Sequence, residues 1–300
     1  MAAPRNHKET PMRSTLIKNR LFSHVLERAA EGAHALRTAA RHPHPGRIAY
    51  LAAGAVSVAA AATRSDRITR AVKPTLMPLL ASTVLAPGAT ADNPRSWRNI
   101  RTPNAGQALL LAGLVGGWLG DITLMNTQSR SPEPAERATN LNRGAAWFSA
   151  NQLAYIWLLA KRGARPSPTV AAAHLPVLAT GLGLASWKLP QALPAAGGYG
   201  SLLGATNVLA QDSAILRDTP EATPEDYGHA LGGTLFLLSD ALILNRLTLL
   251  KHAQRPTAPT ALKIIDALTD GAVMATYVIA QLLLVDGING ALRQKKEKTA

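Results

Sequence analysis

The sequence predicts an all-α fold: a polytopic transmembrane helical bundle of about eight spans, behind a basic N-terminal extension. Three observations predict it. Between Ile48 and Ile288 apolar runs recur roughly every 25 to 35 residues, many close to the ~20 residues that cross the hydrocarbon of a bilayer. Several of these runs are apolar all round, whereas a helix on the surface of a soluble protein keeps a polar face. The polar residues are segregated rather than absent. Mean hydropathy is only +0.04 although 47% of the chain is hydrophobic, because charge crowds into residues 1–47, the C-terminal tail and the segments between apolar runs.

The expected spans can be justified in order. Residues 48–63 are mostly Ala and Gly, and with residues 73–88 they give the weakest signal. The second span opens at Lys73-Pro74, where Pro suits a first helical turn, and meets Pro78 one turn later. Asn104, after Pro103, is the expected N-cap of the span at 105–126. Residues 143–160, 169–187, 197–216, 229–250 and 267–289 supply the remaining spans. Residues 129–142, 217–227 and 251–263 read as polar loops. Three regions result: a basic extension at 1–47, a transmembrane domain at 48–290 and a basic cytoplasmic tail at 291–300. The extension is either disordered or an amphipathic interfacial helix. In a helix, Ile17, Leu21, Phe22, Val25, Leu26, Ala29, Ala33 and Leu36 would fall near one face, with Lys18, Arg20, Arg28 and Arg37 among the other residues.

Net charge is +14, with 32 Lys and Arg against 18 Asp and Glu. These cations flank apolar runs and lack the interleaved aromatics on which bases stack, so nucleic acid is not an expected partner. The positive-inside rule accounts for them better. With the N-terminus inside, nine lie in residues 1–47, and Arg95, Arg98, Arg101, Lys161, Arg162, Arg165, Arg217, Arg293, Lys295, Lys296 and Lys298 lie on the same side, leaving twelve of 32 outside. Arg64, Arg67 and Arg70 oppose the trend. An even number of passes across the cell membrane, with both termini cytoplasmic, is favoured. The absence of cysteine excludes disulfides, thiolate metal sites and Cys nucleophiles. The eight His show no ligand spacing: His174 and His229 fall at or in spans without a carboxylate companion, so no metal and no cofactor is expected.

The chemistry-bearing feature is a pair of acids inside apolar runs, Asp121 in LLLAGLVGGWLGDITLM and Asp240 in GGTLFLLSDALIL. An ionisable residue in hydrocarbon marks a functional site by default. Gly113/Gly117 and Gly116/Gly120 form two interleaved small-xxx-small pairs that let a neighbouring helix come close and cover Asp121. Tyr277 and Gln281 share a helix face, as do Phe148, Gln152 and Tyr155. Each polar side chain also has a plain packing reading: the acids as structural bridges, Tyr155, Tyr277 and Gln281 as interhelical ties, Lys73 and Arg143 as interface anchors.

These segments resemble one family. GLVGGWLGDITLM is similar to the G-L-x-x-S-x-x-G-D-x-x-L segment of the YhhN family of lysoplasmalogenase-like membrane hydrolases. RGAAWFSANQLAYI resembles its G-x-x-x-F-x-x-x-H-x-x-Y, GGTLFLLSDALIL its G-x-x-x-F-x-x-S-D-x-x-L, YVIAQLLL its Y-x-x-A-Q, and VKPTLMPLL its Lys-Pro segment. The order holds from Lys73 to Gln281, and residues 1–47 lie outside it. Two positions depart: Gln152 stands where the family has His, and Gly117 where it has Ser.

The resemblance implies hydrolysis of the vinyl ether bond of a lysoplasmalogen-like substrate, a lysophospholipid or ether lipid, to a fatty aldehyde and a glycerophospho-base. Two carboxyl groups suit that chemistry. One protonates the alkene carbon, and the other, as carboxylate, steadies the oxocarbenium ion and activates water, as glycosidase carboxylates do. On this reading Asp121 and Asp240 are catalytic. Gln152, Tyr155, Tyr277 and Gln281 orient water and glycerol hydroxyls, and Lys73 and Arg143 hold the lipid phosphate. The alternative is a multi-pass transporter or lipid-binding membrane protein that uses the aspartates as a proton relay. Inverted repeats would favour it, and none stands out.

Overall fold

The computed structural model describes residues 10–41, 44–86, 102–131, 133–216, 223–254 and 257–293, and every regular element among them is helical. Ten α-helices follow one another: α1 (Thr10–Arg41), α2 (Pro45–Ala62), α3 (Asp66–Val72), α4 (Leu76–Leu85), α5 (Ala105–Leu124), α6 (Pro134–Lys161), α7 (Pro168–Lys188), α8 (Gly200–Ala210), α9 (His229–Thr248) and α10 (Thr260–Arg293). Five stretches are long and apolar enough to cross a membrane: α2, α5, α7, Pro224–Thr248 containing α9, and Thr260–Leu292 within α10. The other expected spans fall short of that criterion for plain reasons. Helices α4 and α8 have only 10 and 11 residues. Helix α6 has the length, but Asn151 and Gln152 interrupt its apolar half.

Local chemistry sets the boundaries. Asn104 caps α5 through a full capping box: its side chain accepts from the Gln107 N–H, and the Gln107 side chain accepts from the Asn104 N–H. Lys73–Thr75 forms a 3-10 turn leading into α4, and the short helix α3, which the sequence did not suggest, precedes it. The supposed loop at 129–142 is helical from Pro134 onward. Pro134 occupies the first turn and Glu136 lies at the positive helix end. Asn140, polar and buried, ties this turn down by donating to the Thr123 carbonyl at 3.0 Å and to Ser129 Oγ at 2.6 Å. Likewise α10 begins at Thr260, inside the supposed linker at 251–263. Residues 87–101, 217–222 and 294–300, which carry much of the expected inside charge, lie outside the described residues.

Helices α5 and α6 pack antiparallel, as do α9 and α10. On α5 and α6, a side chain at Gly113 would meet Ala154, one at Gly116 the Trp147 carbonyl, and one at Gly120 the Phe148 ring at 2.6 Å, so only glycine permits this approach. Helix α9 meets α10 in the same way: a Cβ at Gly232 would lie 3.0 Å from the Leu284 nitrogen. Helix α10 is the axis of the bundle, and every residue from 280 to 292 is buried. Helix α2 lies against it, with Tyr50 donating to the Val278 carbonyl and Arg47 paired with Asp286 at 2.6 Å. Helix α7 is peripheral: only Val170 and Ala185 are buried, while Leu175, Val177, Leu182 and Trp187 face outward.

Among its described residues, helix α1 packs on the bundle through small residues beside Leu36, a member of the expected stripe that lies against the core. Gly32, Ala35 and Ala39 are buried, with Gly32 against Leu231, whereas Leu26 and Ala33 are exposed. Small side chains win here because the chain turns its closest-packing face, not its bulkiest, toward α9. The side chains of residues 10–22, 24 and 25, including Ile17, Leu21, Phe22 and Val25, lie outside the described residues.

One ion network joins three helices. Asp266 on α10 is 1% exposed and accepts from Arg64, after α2, at 2.7 Å and from both Nε (2.9 Å) and Nη2 (3.2 Å) of Arg246 on α9. Arg246 also bonds Asp270. Removing the shared acid leaves Arg64 without its carboxylate and Arg246 with Asp270 alone; breaking a buried ion pair costs up to about 3–5 kcal/mol. Asp266→Ala is therefore expected to lower the unfolding midpoint in detergent well below that of Arg64→Ala, whose guanidinium is the more exposed partner.

Candidate active site

Asp121 lies in the last turn of α5, where Gly116, Gly117 and Gly120 let α6 close over it. It is 2% exposed and fully partnered. Lys73 Nζ stands 3.0 Å from Oδ1, and the Tyr277 hydroxyl donates to Oδ2 at 2.6 Å. The Trp118 indole N–H donates to the Pro74 carbonyl at 2.8 Å, which fixes the Lys73–Thr75 turn against α5 and aims the ammonium at the carboxylate. The Lys73 ammonium also lies 5.9 Å from the centre of the Tyr277 ring.

Asp240, midway along α9, has a different environment. The Tyr199 hydroxyl donates to its Oδ2 at 2.5 Å. Tyr199 ends a π-helical turn at Pro194–Tyr199, just before α8. Such turns widen the helix and re-aim one side chain, and they recur at functional positions. An aromatic cluster links the two acid–tyrosine pairs. Phe148 lies 6.2 Å from Tyr199 and 6.1 Å, edge-on, from Tyr277, and Phe236 lies 5.7 Å from Tyr277. Edge-to-face packing by Phe148 and Phe236 positions the Tyr277 phenol, and a tilted contact with Phe148 positions that of Tyr199.

Both acids line one cavity of about 460 Å³, together with Lys73, Tyr199, Ser239 and Tyr277. That volume lies within the ordinary range for a small-ligand site. The rest of its wall is almost wholly aliphatic and aromatic, contributed by α5 to α10 and the turns before α8. One acid thus bears an ammonium and a phenol, and the other a phenol alone, across a shared apolar space. Among the described residues no group of three His, Cys, Asp or Glu stands close enough to hold a metal ion.

The structure divides the eight residues singled out from the sequence. Lys73, Asp121, Asp240 and Tyr277 meet at the cavity. Gln152, Tyr155 and Gln281 form a separate buried layer that does not line it: the Tyr155 hydroxyl donates to Gln281 Oε1 at 2.6 Å, and Gln152 Nε2 lies 3.4 Å from Asn151 Oδ1. Asn151 in turn donates to the Gly113 carbonyl at 3.0 Å. Arg143 is exposed on the outer face of α6, 3.4 Å from Gln128 Oε1 and away from the cavity. Lys73 faces Asp121 rather than a headgroup position at the boundary. Tyr199 was missed from the sequence. Its one signal is a lone phenol in the small-residue run AAGGYGS, where no packing partner of its own size is nearby in sequence.

Comparisons agree with the motif pattern. No curated protein and no solved structure matches the chain significantly. The model of the YhhN family matches residues 68–288, from within α3 to near the end of α10 and including both acids. This membrane protein therefore belongs to the YhhN family.

Proposed function

We propose that the protein is a multi-pass hydrolase of the cell membrane that cleaves the vinyl ether bond of a single-chain ether lipid of the lysoplasmalogen type. The observation that carries this reading is the unequal partnering of two acids on one cavity. Asp121, held by Lys73 and Tyr277, is the carboxylate. Asp240, bonded by Tyr199 alone in an apolar wall, is the proton donor. Asp240 adds a proton to the alkene carbon remote from oxygen, and the C=C electron pair forms the new C–H bond. The oxocarbenium ion left behind lies between the two carboxyl groups and draws on the Asp121 charge. Water attacks that carbon and gives up a proton to the Asp240 carboxylate. The hemiacetal then collapses to a fatty aldehyde and a free glycerol hydroxyl. One water is consumed and no cofactor takes part.

The bundle behind this site makes eight passes, with α3 and α4 together forming one, and both termini are cytoplasmic. The antiparallel packing of α5 on α6, α8 on α9 and α9 on α10 supports that count. The cavity wall draws on only part of the bundle depth: residues 121–124 of α5, 141–148 of α6 and 273–277 of α10, but none from 105–114 or 280–293. A closed end of that kind favours an enzyme over a transporter, which needs a path from face to face. A proton-relay transporter is the second reading, and proton flux into vesicles without aldehyde release would establish it instead.

The direct test supplies purified protein with a lysoplasmalogen and its alkyl-ether analogue and measures aldehyde. Release is expected from the vinyl ether only. Loss of general acid–base assistance typically removes about 100- to 10,000-fold of rate, so Asp121→Asn and Asp240→Asn should each fall by at least about 100-fold. Full activity in both variants would end the assignment. Tyr199→Phe removes one hydrogen bond to a carboxyl group, worth about 1.5–3 kcal/mol. It should slow turnover by roughly 10- to 100-fold while leaving helix content by circular dichroism unchanged.

A further inference from the structure

The cavity has one wall unlike the others. Most of its lining is buried or half-buried, but Pro176, Val177 and Thr180 on α7 and Ala241 on α9 are exposed. All the exposed lining residues thus fall on two neighbouring helices. Helix α7 is also the least buried of the five candidate spans, with 11% of its apolar window covered, against 78% for α10. Its remaining surface, including Leu175, Leu182 and Trp187, is apolar and exposed, which places this side of the protein toward lipid tails. The seal between α7 and α9 is thin at one point. Gly181 lines the cavity, and a side chain there would meet only Leu244 Cδ2, at 3.7 Å. Pro176 sits inside α7 and removes a backbone donor one and a half turns before Gly181, which loosens this stretch of helix.

We propose that the gap between α7 and α9 is a lateral portal through which a single hydrocarbon chain enters the cavity from the bilayer, with Gly181 setting its width. The occupant is one acyl, alkyl or alkenyl chain of a membrane lipid. The aliphatic wall offers such a chain contacts equivalent to those it leaves in the membrane. Asp121, Tyr277 and Tyr199 lie across the cavity on α5, α10 and the turn before α8, and Asp240 faces them from α9, so the polar end of the chain would come to rest among these four groups. The portal rests on the lipid-substrate reading given above, but binding of the chain does not require that the bond be cut.

The test uses purified full-length protein in phospholipid nanodiscs with a single-chain lipid carrying a terminal diazirine. After illumination, labelled peptides are mapped by mass spectrometry, and aldehyde release is measured in parallel with a lysoplasmalogen. Labelling is expected on α7 between Pro176 and Leu184 and on α9 between Ala241 and Leu247. Gly181→Trp should reduce it at least fivefold. Gly183→Trp is the control: Gly183 is exposed, has nothing within 4 Å of its Cβ position and does not line the cavity, so labelling should change less than twofold. Because Gly181→Trp can impair folding, a second variant closes the gap after folding. The chain has no native cysteine, so Gly181→Cys with Leu244→Cys can be bridged by a short bifunctional thiosulfonate and reopened with dithiothreitol. Bridging should abolish labelling of the cavity and reduction should restore it. Label mapped to helices other than α7 and α9, or unaffected by the bridge, overturns the portal. Label at the portal with no aldehyde from the wild type leaves the portal standing and overturns the hydrolase.

Discussion

A carboxylate among hydrocarbon tails must find donors inside the protein, because no water is there to supply them. Three deeply buried acids meet that demand with a basic partner from another part of the chain: Asp121 with Lys73, Asp266 with Arg64 and Arg246, and Asp286 with Arg47. Each pair fixes the axial register of two helices. Together they hold α2, α5, α9 and α10 at depths that side-chain packing alone would leave free to slide. Asp240 is held differently, with a phenol as its hydrogen-bond partner and a cavity beside it.

Much of this was legible in the sequence. The apolar runs gave the helices, Asn104 gave the start of α5, and the glycine pairs before Asp121 gave the close α5–α6 approach. The two acids stood out because an ionisable residue in an apolar run is rare whatever the fold. Their partners did not. That Lys73 faces Asp121 depends on the 3-10 turn at Lys73–Thr75 and on the Trp118–Pro74 bond, and neither has a signature in the pattern of apolar residues. Tyr199 depends on a π-helical turn, which shifts its side chain out of the 3.6-residue register used to assign faces. Gln152, Tyr155 and Gln281 were assigned to the site because they share helix faces with residues at the cavity. A shared face, however, says nothing about depth, and one turn along the helix carries a side chain out of the cavity and into the packed layer behind it. Polar residues outnumber apolar ones in the first turns of α6, a loop-like pattern, yet Asn140 there is buried as a tie between segments.

The family match begins within α3, so α1 and α2 lie outside the matched stretch. They are nevertheless integral to the packing. Helix α2 supplies Tyr50 and Arg47 to the central helix, and α1 covers the outside of α9 through Gly32, Ala35 and Ala39.

The pairing of Arg47 with Asp286 has a temporal consequence. The two residues are 239 positions apart, and a ribosome adding about 5–20 residues per second needs roughly ten to fifty seconds to cover that distance. Throughout that interval the guanidinium of an early helix has no native counter-ion, and the groove that will receive the final helix stays open. Assembly therefore waits on α10, the axis around which the earlier helices pack. A nascent chain stalled before Asp286 keeps the Arg47 guanidinium without this partner, so the register of α2 is set only when α10 arrives.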